Sequence, residues 1–175
     1  MMDNKERNIL LTEEQIQKQI KIVGEQIAND YKDKPIYVLS LLRGSFIFTA
    51  DLVRAIDGKT QIGFMTTSSY GDEEESSGLV KVVNDIPDNI EGLDVLIVDD
   101  IIDTGITMDF VIEHVKKLGA KTVKTCTLLD KPSRRKRDLA PDYCCFEIED
   151  LFVVGYGLNY GKYYRNVPYI FNWEK

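Results

Sequence analysis

Histidine is nearly absent from this chain of 175 residues, His114 being the only one. One histidine leaves a serine-histidine-aspartate relay or a histidine-rich zinc site short of parts. Proton transfer therefore falls to carboxylates, lysines or tyrosines. Cysteine is scarce too. Cys126, Cys144 and Cys145 form an odd set with two adjacent members, which is neither a disulfide framework nor metal-ligand spacing and reads as reduced, buried thiols. No apolar run approaches the roughly 20 residues of a membrane-spanning helix. The opening segment, MMDNKERNILLTEEQ, is charged and lacks a signal-peptide apolar stretch, so a cytoplasmic location is expected. Positive charge is in deficit, with a formal net charge of −7. That balance argues against sequence-independent binding of nucleic acid. No internal repeat, low-complexity tract or long linker divides the chain, and one domain spanning residues 1–175 is expected.

What is present alternates between two periodicities. Thr12 and Gln15 make a capping-box pattern ahead of Ile16, Ile20, Val23 and Ile27 at helical spacing. IYVLSLL, Ile36 to Leu42, is too apolar to be solvated on either face, and RGS separates it from a helical segment, FIFTADLVRAI. QIGFMTTSSY and LVKVVND read as strands on either side of GDEEESSG, Gly71 to Gly78, which has the composition of a loop. A strand at Val95 to Val98 precedes a helix that begins near Met108 and ends at Gly119. TVKTCTLL, CCFEI and LFVVGYGL supply later apolar stretches. Alternating strands and helices imply an α/β fold with a mainly parallel sheet.

Ligands of such sheets bind beyond the carboxyl ends of the strands. Arg43 and Gly44 follow one buried strand, Asp99 and Asp100 another, and Lys131 follows TCTLLD, so these residues can share one crevice. In DTGIT, Asp103 to Thr107, Gly105 permits a tight turn, and successive N–H groups open the next helix as an anion nest. An ordinary capped helix start reads the same turn equally well, and no Walker A pattern occurs. Asp99 and Asp100 are harder to dismiss, because carboxylates directly after four apolar residues are costly without a cation or hydroxyls to meet them. A ligand carrying phosphate, a ribose diol and Mg²⁺ together satisfies both halves of VLIVDDIIDTGITM. The basic run KPSRRKRD, Lys131 to Asp138, reads as a solvated loop or, less economically, as an RNA-contact surface.

VLIVDDIIDTGITM resembles the phosphoribosyl pyrophosphate (PRPP) signature of type I phosphoribosyltransferases. VLSLLRGSFIFTADLVR, SSYG, LLDKPSRR and FVVGYGLNYGKYYRNVPYI resemble, in order, the hypoxanthine-guanine branch of that family. The resemblance implies a Rossmann-like, mainly parallel central sheet flanked by helices, a small hood formed partly by the C-terminal part, and a flexible lid over about residues 69–79. It implies Mg²⁺-dependent purine salvage, in which PRPP and a 6-oxopurine (hypoxanthine, guanine or xanthine) give the nucleoside monophosphate and pyrophosphate. Homodimers or homotetramers go with the family, and neither a membrane nor a nucleic-acid partner is expected for this chain.

Residue by residue, the resemblance places the ribose diol on Asp99 and Asp100 and the 5′-phosphate on Asp103, Thr104, Gly105, Ile106 and Thr107. Pyrophosphate falls to Arg43, Gly44, Ser69, Tyr70 and Arg165, with the Leu42-Arg43 peptide cis. The purine falls to Lys131, Phe152, Val153 and Asn159. Asp103 is the general base near purine N7, and Lys131 is the donor to O6. Asp99, Asp100 and, weakly, Asn159 are the metal ligands. Three positions depart from the family pattern: Asp99 for a common glutamate, Ile106 for a lysine found in some relatives, and Asn159 for an aspartate linked to a second Mg²⁺. Two rival functions remain, a PRPP-sensing regulator that binds RNA or DNA through SRRKR and a catalytically silent subunit.

Overall fold

A computed structural model of the chain describes residues 8–69 and 80–173. After a short strand β1, Asn8–Leu11, Thr12 caps helix α1, Glu13–Tyr31. The Thr12 hydroxyl accepts from the Gln15 N–H at 3.3 Å, and the Gln15 side-chain oxygen accepts from the Thr12 N–H at 2.8 Å. The helix buries Ile16, Ile20, Val23 and Ile27, the stripe that its spacing dictates.

Strand β2, Ile36–Leu42, leads to helix α2, Phe46–Ala55, and then to β3, Thr60–Ser69, and β4, Val80–Asn84. Strand β5, Asp94–Ile102, is followed by helix α3, Ile106–Lys117, then β6, Thr122–Asp130, and β7, Tyr143–Glu147. These strands form one sheet in the order β4-β3-β2-β5-β6-β7, parallel except for the β3-β4 pair. The expected mainly parallel α/β fold is therefore present. Strands β8, Val153–Val154, and β9, Ile170–Asn172, join β1 in a separate antiparallel sheet in the order β1-β9-β8, the small hood.

Successive strand residues point to opposite faces, and both faces of the large sheet are covered. Val38, Leu96, Val98 and Cys126 pack with α1 and α2, whereas Tyr37, Leu39, Val95 and Ile97 pack with Met108, Val111 and Val115 of α3. β2 and β5 are adjacent, yet the helix after β2 lies on one face and the helix after β5 on the other. Their carboxyl ends consequently part at a topological switch point, the place where a doubly wound sheet opens a crevice.

Three boundaries differ from the sequence reading. β5 continues through Asp99 and Asp100 to Ile102, because pairing with β6 persists from Asp94↔Thr122 to Ile102↔Asp130. α3 starts at Ile106 rather than near Met108, since Gly105 turns the chain into the helix at φ +79°. LFVVGYGL holds strand only at Val153–Val154, because Gly155, Tyr156 and Gly157 all take positive φ and turn the backbone away.

Candidate active site at the sheet switch point

The loop after β2 is fixed from below by hydroxyls. Ser40, inside the apolar strand, shares hydrogen bonds of 2.8 Å with both Ser45 and Thr49, and Ser45 Oγ donates to the Leu41 carbonyl. All three hydroxyl residues are buried. This network, which sequence reasoning missed, sets the path of Arg43 and Gly44; the lone polar residue in IYVLSLL was its signal. The Leu42-Arg43 peptide is cis, as expected. Arg43 is exposed, and Gly44 lies against the Asp100 carboxylate so closely that a Cβ there would overlap it.

Across the crevice, Asp99 and Asp100 sit half-buried in β5. Asp99 Oδ1 accepts from the Asp100 N–H and Asp100 Oδ1 from the Ile101 N–H, both at 3.0 Å. Burial raises the Asp99 carboxyl well above the usual carboxylate range, and the neighbouring Asp100 charge raises it further. Burial also raises Asp100, offset in part by hydrogen bonds from Asp99 and the backbone and by the Arg165 charge. Arg165 Nη1 donates to the Gly157 carbonyl at 2.6 Å, and Gly157, at φ +100°, packs on the Gly44 carbonyl where a Cβ would collide. Gly44, Asp100 and Arg165 thus converge around Gly157, a residue not singled out from sequence, with Arg43 next to Gly44 in the chain.

The DTGIT turn forms the next wall. Asp99, Asp103, Thr104, Gly105, Thr107 and Met108 are among the residues around a cavity of about 120 Å³. The first N–H groups of α3 have no carbonyl one turn back to meet, and the helix dipole adds positive potential there. The Thr104 hydroxyl accepts the Ile106 N–H at 3.4 Å. A phosphate suits this end of the cavity, with the carboxylates at the other.

Two of the residues expected to meet the purine reverse their ordinary environments. Lys131 is buried, its Nζ donating to the Leu151 carbonyl at 2.6 Å and lying 3.5 Å from Asp150 Oδ1. Phe152 is 56% exposed. The aromatic rings of Tyr160 and Trp173 support it, Tyr160 meeting Phe152 edge-on at 6.1 Å and stacking on Trp173 at 4.1 Å. Val153 is buried in β8. Asn159 is half-buried, and its Nδ2 donates to the Gly161 carbonyl at 2.7 Å. Ser69 closes β3, paired with Val80, while Tyr70 and the rest of the expected lid lie outside the described residues.

The basic run is not a free cationic surface. A short 3₁₀ helix, Pro132–Arg134, folds it behind the DTGIT turn. Arg134 Nε donates to Asp103 Oδ1 at 3.0 Å, Arg135 pairs with Asp130 and donates to the Asp103 carbonyl at 2.6 Å, and Arg137 lies 3.4 Å from Asp109. The Asp103 carboxylate beside it pushes the Arg134 guanidinium further up. Three of the four arginine and lysine residues from 134 to 137 are neutralised locally, and the regulatory reading loses its contact surface.

A family model for the phosphoribosyl transferase domain matches residues 7–161. A hypoxanthine-guanine phosphoribosyltransferase of Bacillus subtilis is 44% identical over 170 residues, which cover 97% of this chain and 94% of the relative. That of Aquifex aeolicus is 46% identical over 168 residues, covering 95% and 94%. Among solved structures, a hypoxanthine-guanine phosphoribosyltransferase of Bacillus anthracis superposes with a TM-score of 0.92 at 44% identity, covering 96% of this chain and 99% of that one. A hypoxanthine phosphoribosyltransferase mutant of Trypanosoma cruzi in a ternary substrates complex gives 0.89 at 40% identity, covering 97% and 95%. The crevice between β2 and β5 and these likenesses over nearly the whole chain lead to one conclusion: the chain belongs to the phosphoribosyl transferase family.

Proposed function

We propose that the chain works as one domain in purine salvage, moving the 5-phosphoribosyl group of PRPP to a ring nitrogen of a 6-oxopurine and releasing pyrophosphate. Hypoxanthine and guanine are the expected bases, with xanthine as a third. The observation that carries this reading is the exchange of environments at Lys131 and Phe152, an amine held in the interior beside an aromatic face left open. A flat ring with a carbonyl on its edge accounts for both.

In this reading Asp99 and Asp100 accept from the ribose hydroxyls, and the Thr104 to Thr107 turn holds the 5′-phosphate. Arg43, Gly44, Ser69, Tyr70 and Arg165 face the departing pyrophosphate. Lys131 donates to O6, Phe152 stacks on the base, the Val153 backbone and Asn159 meet its edge, and Asp103 shares the proton at N7. Cleavage leaves positive charge on the ribose and negative charge on pyrophosphate, so fixed charges aimed at each make up much of the catalysis.

Asp99 and Asp100 also fit Mg²⁺. They are hard oxygen donors whose ionisation is opposed by burial and, at Asp99, by the Asp100 charge, a cost that a cation relieves. Among the described residues no three ligating side chains cluster, which suits a metal that shares its ligands with substrate phosphates rather than a closed protein cage. Bound there, Mg²⁺ would offset the charge of the leaving group. Asn159 offers only an amide oxygen and is a weak further ligand.

Among the described residues no helix is long and apolar enough to cross a membrane, and a cytoplasmic enzyme fits the use of intracellular PRPP. Phe46, Ile62 and Phe64 are each more than 40% exposed, which favours self-association into a dimer or tetramer. Steady-state kinetics with hypoxanthine, guanine and xanthine, each with PRPP and Mg²⁺, test the reading. Turnover with at least one base is expected, and none with all three would end it.

A further inference from the structure

Arg134 takes part in more than a surface ion pair. Its Nε donates to Asp103 Oδ1 at 3.0 Å, and its Nη1 donates to Asp150 Oδ2 at 3.3 Å. Asp150 Oδ1 lies in turn 3.5 Å from Lys131 Nζ. The four charges run − + − +, and the ends of the row are the carboxylate and the ammonium assigned to purine N7 and O6. Those two atoms are neighbours on one edge of a 6-oxopurine. The distance between Asp103 and Lys131 therefore matters more than either position alone.

The two ends are held unequally. Lys131 is fixed by burial and by the Leu151 carbonyl. The Asp103 side chain, at the turn after β5, is 38% exposed, and its hydrogen bond to Arg134 ties it to the opposite wall. Arg134 itself is registered to that wall on both sides. The Lys131 N–H donates to the Ile102 carbonyl at 2.9 Å, the Arg134 N–H to the Lys131 carbonyl at 3.1 Å, and Arg135 Nη1 to the Asp103 carbonyl at 2.6 Å. Half-exposed ion pairs add little to stability, so stability gives this bridge little reason to exist. An arginine fork adds geometric definition instead.

We propose that Arg134 is a positioning residue for the transfer reaction, bridging Asp103 and Asp150 so that the Asp103 carboxylate stands at the spacing from Lys131 that the N7–O6 edge of the base requires. The proposal rests on the phosphoribosyl-transfer reading. The bridge concerns the chemical step rather than PRPP capture, because neither Asp150 nor Lys131 belongs to the sugar and phosphate walls.

The test uses the full chain with hypoxanthine, PRPP and saturating Mg²⁺, comparing Arg134→Gln, Arg134→Lys, Asp103→Asn and the double variant Arg134→Gln/Asp103→Asn. Arg134→Gln should lower kcat on the order of tenfold while leaving the KM for PRPP within about twofold. In the Asp103→Asn background the same change should cost less than about twofold, because a residue that acts only through Asp103 has nothing left to position. Arg134→Lys, which keeps the charge but not the fork, should recover only a minor part of the loss. Equal losses in both backgrounds, or no loss in either, overturn the proposal. A second readout is independent of turnover: the carboxyl ¹³C resonance of Asp103, assigned by its disappearance in Asp103→Asn, should move in Arg134→Gln and move less in Arg134→Lys, which keeps the charge. A resonance unmoved by Arg134→Gln overturns the bridge even if the enzyme is active. An enzyme without purine turnover overturns the reaction reading, while the resonance still decides the bridge.

Discussion

Gly44 lies against the Asp100 carboxylate with no room for a methyl group between them. The loop after β2 and the end of β5 are therefore in contact, and residue 44 must be glycine for that contact to exist. Gly44→Ala should force the loop and the carboxylate apart. Because binding geometry at a transferring group is sensitive to displacements near 1 Å, kcat/KM for PRPP should fall by about 100-fold. The melting temperature should change little, since the loop lies at the surface end of the crevice. Kinetics together with a thermal melt check both halves.

Asp99 gives a pH prediction. Its folded carboxyl is raised above the unfolded value by burial and by Asp100, so between those values the folded chain holds more protons than the unfolded chain. Stability from this site is then greatest below the unfolded pKa and declines as pH rises through the folded one. Asp99→Asn removes the decline. The variant should melt higher than the parent at neutral pH, with the gap closing toward about pH 4, and should bind PRPP with Mg²⁺ much more weakly. A gap independent of pH would contradict the assignment.

Ser45 supports the same loop from beneath. Ser45→Ala leaves the Ser40 hydroxyl and the Leu41 carbonyl each short of a partner, and a buried group left unsatisfied costs about 1–3 kcal/mol. Denaturant unfolding should show a loss of that size. The inhibition constant of the product pyrophosphate should rise as well, because the loop that faces it loses its anchor.

Lys131→Met keeps the buried stem and removes the ammonium. The KM for hypoxanthine should rise by at least about tenfold, with that for PRPP nearly unchanged. A matching rise in both would place Lys131 at the sugar rather than the base.

Most of the fold was legible because its signals are local. A capping box, a strand too apolar for solvent and a helix ended by Gly119 need nothing beyond neighbouring residues to be read. The Asp99-Asp100 pair was legible for another reason, the energetic cost of two carboxylates behind four buried residues. What escaped was nonlocal. Nothing near KPSRRKRD announces that Asp103 and Asp109 will meet its arginines, since those acids come from another segment and only the folded sheet brings them together. Lys131 and Phe152 were legible only through the family resemblance for the same reason: taken alone, a lysine is ordinarily solvated and a phenylalanine ordinarily buried. Their reversal, buried lysine and exposed ring, appears only once β6 and the hood face each other.

The most direct test of the account is product analysis of the full chain incubated with PRPP, hypoxanthine and Mg²⁺. The account predicts inosine monophosphate and pyrophosphate in equal amounts, with neither formed when hypoxanthine is left out. Pyrophosphate released without the nucleotide, or no product under conditions where PRPP with Mg²⁺ still raises the melting temperature, would contradict it.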